Sequence, residues 1–198
     1  METDRKWIIV RIDGKIAAIS TDYAKLAAIA ARLAQQQKPV VYDSICADSA
    51  TLEEIWNLRK ELLWDDLLLF GTDFQKKVWR KLWELTHDET KDDFAGDGIR
   101  LLSYTDFADL CENRAGVRAV AHAIALNPVP VIIPCHMVVP KEAIDRIHDI
   151  HQKAQSTIFK GNDLSLENIL KDPGIDFGEY ASGKELKRKL ISLEDLNL

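Results

Sequence analysis

Cysteine is scarce in this chain, and its arrangement excludes several classes of protein. Three cysteines occur in 198 residues, Cys46, Cys111 and Cys135, an odd number at wide spacing. Small secreted proteins built on disulfides carry an even and denser set, and structural zinc sites need closely spaced cysteine or histidine pairs. We therefore expect reduced thiols, no zinc and no other metal.

Long apolar runs and an excess of positive charge are also missing. No apolar run approaches the roughly 18 residues of a membrane span, and charges flank the four-residue apolar run near the start, so we expect neither a membrane span nor a secretory signal. The net charge of −6 argues against a protein that coats nucleic acid indiscriminately. We expect a cytoplasmic protein whose DNA-binding surface, if it has one, is local.

The first third of the chain has the pattern of a small α/β unit. Apolar segments Trp7–Val10 and Lys15–Ser20 flank Asp13-Gly14, a strong signal for a two-residue β-hairpin turn. The other elements expected there are a helix over 21–37, a strand over 40–42 and a helix opened by the capping box Thr51–Glu54. This segment contains no chemical motif.

The chemistry is concentrated in residues 127–139, Asn-Pro-Val-Pro-Val-Ile-Ile-Pro-Cys-His-Met-Val-Val. The β-branched run Val129–Ile133 predicts a short strand that ends at Cys135 and His136. A thiolate is a strong nucleophile, and a nearby imidazole can take the thiol proton. Neighbouring residues rarely face each other, so the pair must lie in a turn or act through a water. The alternative is a buried structural cysteine beside a surface histidine, the commoner meaning of an isolated Cys-His pair.

The whole string resembles the P-C-H-R-V-V signature of the O6-alkylguanine-DNA alkyltransferases, the methylated-DNA-protein-cysteine methyltransferases, with Met137 in place of arginine. Two further motifs match that family: Gly71-Thr-Asp-Phe-Gln-Lys-Lys-Val-Trp79 and Gly178-Glu-Tyr-Ala-Ser-Gly183. The resemblance implies an α/β fold with a small N-terminal α/β domain over 1–70. A mainly helical C-terminal domain over 71–198 follows, with a helix-turn-helix and an inserted segment at about 140–177.

Two short helices are expected before the cysteine, one opened by the capping box Ser103–Asp106 and one running from Val117 to about Leu126. This is the layout of a helix-turn-helix, but small residues such as those of the second helix also pack helices together, so the sequence alone leaves both open. The resemblance places four residues on DNA: Tyr104, Arg118, Ala119 and Ala121. It implies that the second helix enters the minor groove, that Arg118 fills the space of an extruded nucleotide, and that Tyr104 assists extrusion.

The resemblance also implies the reaction. O6-alkylguanine in double-stranded DNA would be flipped out, and Cys135 would take its alkyl group irreversibly, once per molecule and without a cofactor. His136 would take the thiol proton through a water, Glu194 would orient the imidazole, and Asn127 would support the turn. The residues implied to hold the base are Val138, Tyr180 and Ala181. We expect a monomer; the alternatives are a non-catalytic lesion-binding protein and a helix-turn-helix regulator.

The end of the chain predicts a helix opened by a capping box at Ser182–Glu185, with a buried stripe formed by Leu186, Leu190 and Leu193. Glu194 lies beside that stripe, where a carboxylate is either paired or functional. The alternative is a surface glutamate at a fraying helix end.

The inserted segment has helical periodicity of its own. Ala143, Ile147 and Ile150 predict an amphipathic helix, and residues 164–170 predict a second one. His148 and His151 share one face of the first helix, and we interpret them as solvated side chains rather than metal ligands. Because the insert joins the cysteine turn to Tyr180, we expect it to lie near the substrate pocket.

Overall fold

The computed structural model describes residues 6–24, 26–27, 42–87, 101–156 and 169–194. Its chain divides into two compact units, one formed by residues 1–86 with 126–135 and the other by 87–125 with 136–198. The division between the units falls at the peptide bond that joins Cys135 to His136. The expected domain boundary near residue 70 stays a prediction.

The first unit is built on a three-stranded antiparallel sheet of order β2-β1-β3, in which β1 is Trp7–Ile12, β2 is Lys15–Ser20 and β3 is Ile45–Ala50. Asp13 and Gly14 join β1 to β2 with φ of 49° and 78°. Two successive left-handed residues match the right-handed twist of the strands, which is why this dipeptide is favoured in hairpins. The predicted hairpin is confirmed.

The third strand differs from expectation. Tyr42 lies outside β3, while residues 40 and 41 of the expected strand, and most of the expected helix over 21–37, lie outside the described residues. The pairing strand, β3, is exposed along nearly its whole length. A strand without a buried face needs no alternation of apolar and polar residues, and Ile-Cys-Ala-Asp-Ser-Ala shows none. That alternation is the signal by which a half-buried strand is predicted.

Two helices complete the described part of the first unit, α1 (Leu52–Glu61) and α2 (Asp73–His87). At the start of α1 the Glu54 N–H donates to Thr51 Oγ1 at 3.2 Å, and the Thr51 N–H donates to Glu54 Oε2 at 2.7 Å. The predicted capping box is confirmed. On α2 the buried residues lie at helical spacing: Val78, Trp79, Leu82 and Trp83.

The described residues of the second unit form a two-stranded parallel sheet and several helices. Its elements are β4 (Leu102–Ser103), α3 (Tyr104–Leu110), α4 (Val117–Ala125), β5 (Val138–Val139), α5 (Lys141–Ser156) and α6 (Lys184–Leu193). Ser103 caps α3, because its Oγ accepts the Asp106 N–H at 3.1 Å. The two helices before the cysteine and the amphipathic helix of the insert are confirmed, as is the mixed α/β class. Use of α3 and α4 as a helix-turn-helix reader of DNA stays a prediction.

The expected start of the last helix is wrong. α6 begins at Lys184, and its N-cap is Gly183 with φ 102°, a conformation that glycine adopts without the strain a Cβ would bring. The buried face is also rotated from the expected leucine stripe: Lys187, Leu190 and Ile191 are buried, whereas Leu193 is 42% exposed.

In these described ranges, no helix is long and apolar enough to cross a membrane. Nor do the same residues contain a group of three or more histidine, cysteine or acidic side chains that could hold a metal ion.

Candidate active site

The segment before Cys135 is a tight loop and not the expected strand. Pro130 forms an isolated bridge with Ile133, and the Ile133 N–H donates to the Val129 carbonyl at 3.0 Å. The strand prediction failed because the prolines in this run cannot donate to a sheet ladder. Val131 has φ 76°, which for a β-branched residue costs about 1–3 kcal/mol and persists only where the surroundings enforce it. Its side chain is fully buried.

Asn127 holds this loop together around the thiol. Its Nδ2 donates to the Ile133 carbonyl at 2.9 Å and lies 3.1 Å from the Cys135 Sγ, and its Oδ1 accepts the Val129 N–H at 3.0 Å. Cys135 is 7% exposed. An amide N–H directed at a sulfur favours the thiolate over the thiol. The structure thus places Asn127 where a residue that supports the turn should lie, while its part in catalysis stays a prediction.

His136 lies in the 3-10 turn Cys135–Met137, so the expected turn is observed. The histidine is fully buried, which contradicts the alternative of a surface imidazole. Its Nε2 lies 2.7 Å from Glu194 Oε1. Glu194 follows α6 directly, and its side chain is only 10% exposed, so the alternative of a frayed surface glutamate is wrong. A carboxylate in this position fixes the ring orientation and stabilises an imidazolium.

One buried residue near these groups was missed in the sequence. Lys187 on α6 is 1% exposed; its Nζ donates to the Val138 carbonyl at 2.8 Å and lies 5.9 Å from the centre of the Tyr104 ring. In the sequence it is one of several cations in Lys-Glu-Leu-Lys-Arg-Lys, a pattern typical of a solvated helix face. Its spacing of three residues from Leu190 was the available signal, because residues at that spacing share a face.

The remaining predicted site residues lie on two elements and one loop. On α4, Arg118 and Ala119 are exposed and Ala121 is half-buried, while Val120 and Ala123 are buried on the opposite face. The exposed side of α4 therefore carries two small residues, Ala119 and Ala125, together with the larger Arg118 and His122. In the loop that precedes α6, Tyr180 is half-buried and Ala181 is exposed. In β5, Val138 is fully buried.

The fold and the site together define an α/β protein whose turn-borne cysteine precedes a buried histidine–glutamate pair. Residues 98–157 match the family described as "6-O-methylguanine DNA methyltransferase, DNA binding domain". The match includes α3, α4 and the cysteine turn. The resemblance to the O6-alkylguanine-DNA alkyltransferase family is thus confirmed.

Curated relatives carry the same family name. A "probable methylated-DNA–protein-cysteine methyltransferase" of Acanthamoeba polyphaga mimivirus is 42% identical over 76 residues, 38% of this chain and 44% of the relative. The methylated-DNA–protein-cysteine methyltransferase of Methanosarcina barkeri is 30% identical over 128 residues, 65% of this chain and 54% of the relative. The chain therefore spans about half the length of these two relatives.

Among solved structures, the O6-methylguanine-DNA methyltransferase of Pyrococcus kodakaraensis strain KOD1 aligns with a TM-score of 0.49 at 24% identity. That alignment covers 94% of this chain and 90% of the other.

Proposed function

We propose that this chain repairs O6-alkylguanine in double-stranded DNA by a single, irreversible transfer of the alkyl group to Cys135. The observation that carries the proposal is the 2.7 Å contact between Glu194 and a fully buried histidine that directly follows the cysteine. A buried imidazole held by a carboxylate is an arrangement for moving a proton. The family match over residues 98–157 supports DNA as the partner.

The proposed reaction follows from the two hydrogen-bonded pairs. In neutral His136, the Nε2–H group would donate a hydrogen bond to Glu194, which leaves Nδ1 as the basic nitrogen. Nδ1 would take the thiol proton through a water. The Cys135 sulfur, supported by Asn127, would then form a bond to the alkyl carbon as the bond from that carbon to guanine O6 breaks. The electron pair stays on guanine, which takes up a proton. The thioether has no leaving group to expel, so the protein acts once and needs no cofactor.

Access to the lesion requires that the nucleotide leave the stack, because O6 lies inside the duplex. We propose that the exposed side of α4 enters the minor groove, with Ala119 and Ala121 allowing close approach. Arg118 would then occupy the vacated space, and Tyr104 would assist extrusion. Main-chain groups at Val138 and Ala181, with Tyr180 as a wall, would hold the extruded base. We further propose that the protein acts as a monomer.

A combined binding and transfer assay tests this function. The protein is mixed with matched duplexes that contain either guanine or O6-methylguanine, and both bound DNA and methylated protein are measured. Repair predicts tighter binding to the methylated duplex and one methyl transferred per protein molecule. Preferential binding without transfer would indicate a lesion-binding protein instead. Sequence-specific binding to the undamaged duplex, again without transfer, would indicate a regulator.

A further inference from the structure

A turn near the end of the chain is held from two sides by arginines that the proposed reaction does not use. This turn, residues 169–175 (the clamp turn), precedes residues 176–183 (the base loop), in which Tyr180 and Ala181 lie. Both segments fall beyond the residues matched to the family, 98–157.

Arg188 on α6 holds the main chain of the clamp turn. Its Nη1 donates to two carbonyls and its Nη2 donates to a third, at 2.7 Å in the case of Ile175. The three carbonyls are those of Leu170, Asp172 and Ile175. The guanidinium also lies 4.9 Å from the centre of the Phe177 ring, at the entrance to the base loop. The planar guanidinium presents several N–H donors in a fixed geometry, which suits three separate carbonyl acceptors. A lysine ammonium could not reproduce this set of hydrogen bonds.

Arg146 on α5 holds the same turn by its side chain. The Asp172 carboxylate accepts from Arg146 Nη2 at 3.1 Å and from its Nε at 3.3 Å, while its other oxygen accepts the Gly174 N–H at 2.8 Å. The Gly174 N–H, with the Arg146 guanidinium, lowers the pKa of Asp172 below its ordinary value. The clamp turn therefore joins α5, the helix that follows the cysteine turn, to α6, the helix that precedes Glu194.

The base loop is fixed at both ends by this arrangement. It begins directly after Ile175, whose carbonyl accepts from Arg188, and it ends at Gly183, the N-cap of α6. Within it, Asp176 accepts the Gly178 N–H at 3.0 Å and pairs with Lys184 at 3.3 Å. Tyr180 and Ala181 lie between these two held ends, a few residues from each.

We propose that Arg188, with Arg146 and Asp172, forms a positioning network that sets the base loop as a fixed wall and so limits the size of the alkyl group accepted. This inference rests on the proposed function. A base loop held in one position would exclude a bulky alkyl group and align a small one with the sulfur. A base loop free to move would admit the bulky group and align the small one less well. Displacements of about 1 Å change rates by up to a hundredfold.

The test compares single-turnover transfer of methyl and benzyl groups from O6-alkylguanine in duplexes of one sequence, normalised to titrated active thiol. Arg188→Met removes every donor of the fork at similar length, and we expect the benzyl-to-methyl rate ratio to rise about tenfold. Arg188→Lys should restore only part of the wild-type ratio. Lys189→Met, which removes an exposed charge from the same helix, is the matched control and should leave the ratio unchanged.

A purely structural role would lower the active fraction and leave the normalised ratio as in the wild type, and that result, or a fall in the ratio, would overturn the proposal. Should Arg188→Met not fold, Arg146→Gln carries the test, since that arginine is half exposed; the ratio should rise in the same direction by about threefold. Wild-type protein that transfers neither group would defeat the proposed function itself, whereas wild-type transfer with unchanged ratios in both variants would defeat only the network.

Discussion

Replacement of Glu194 by glutamine tests the buried histidine–glutamate pair. The substitution keeps the size of the side chain and removes the negative charge that lies 2.7 Å from His136 Nε2. A hydrogen bond to a charged group contributes about 1.5–3 kcal/mol. If that energy is realised as the imidazole takes the thiol proton, transfer should slow by about 10- to 150-fold, since about 1.4 kcal/mol corresponds to a factor of ten in rate.

The assay is rapid-quench, single-turnover methyl transfer from a duplex that contains O6-methylguanine, followed from neutral to alkaline pH. An ordinary thiol ionises at about pH 8.5 without help from a base. The deficit of Glu194→Gln should therefore be largest at neutral pH and should shrink as the pH rises past that value. A loss of folded protein would instead lower the amplitude of the reaction at every pH.

Glu185→Gln is the matched control, because Glu185 is an exposed carboxylate on the same helix. Surface substitutions change free energies by less than about 0.5 kcal/mol, so its rate should stay within about twofold of the wild type. Equal rates for the two variants, or a Glu194→Gln rate deficit that does not vary with pH, would contradict a role of the pair in taking the thiol proton.

Arg118→Ala should slow transfer from duplex DNA at least about tenfold, but transfer from the free modified base hardly at all, because we propose that the arginine acts in the vacated stack; equal losses on both substrates would contradict this role. Lys187→Met should change the free energy of unfolding by less than about 2 kcal/mol, because an apolar side chain avoids the cost of burying a charge. It should nevertheless slow transfer by releasing the Val138 carbonyl; unchanged transfer would mean that the lysine only supports the fold. Glu54→Gln should lower stability to denaturant at pH 7 but not in acid below the lowered pKa of Glu54. The Thr51 N–H holds the pKa of Glu54 below its ordinary value, so the stabilisation exists above that value and is lost as the pH falls through the lowered one; a difference that persists in acid would refute this.

Features that depend on neighbouring residues in the chain were predictable. The Asp13-Gly14 turn needs two left-handed residues, and the Thr51 capping box needs a glutamate three positions later. Each feature therefore depends on only two to four consecutive residues and can be predicted from them. The cysteine turn was expected from a similar argument, since adjacent side chains can cooperate only when the backbone bends between them.

Features that depend on distant partners were not predictable from such patterns. In the sequence, Lys187 and Arg188 have the pattern of surface cations. Their acceptors, the Val138 carbonyl in β5 and the carbonyls of the clamp turn, are distant in the chain and become neighbours only in the fold. The loop at Val131 differs from the predicted strand because the β-branched residues there favour a strand, whereas the neighbouring prolines cannot donate to a sheet ladder. The position of Glu194 beside the last helix indicates a paired or functional carboxylate, the family resemblance implies His136 as its partner, and the fold brings the two side chains to 2.7 Å.

The central claim is that Cys135 is the acceptor of the alkyl group. The direct test is to incubate the protein with a duplex that contains O6-methylguanine, digest it, and determine by mass spectrometry which of the cysteine peptides gains a methyl group. We expect one methyl on the peptide that contains Cys135, in amounts that match the DNA repaired, and none in Cys135→Ser. Methyl on the peptides of Cys46 or Cys111, or no methylated peptide at all, would contradict it.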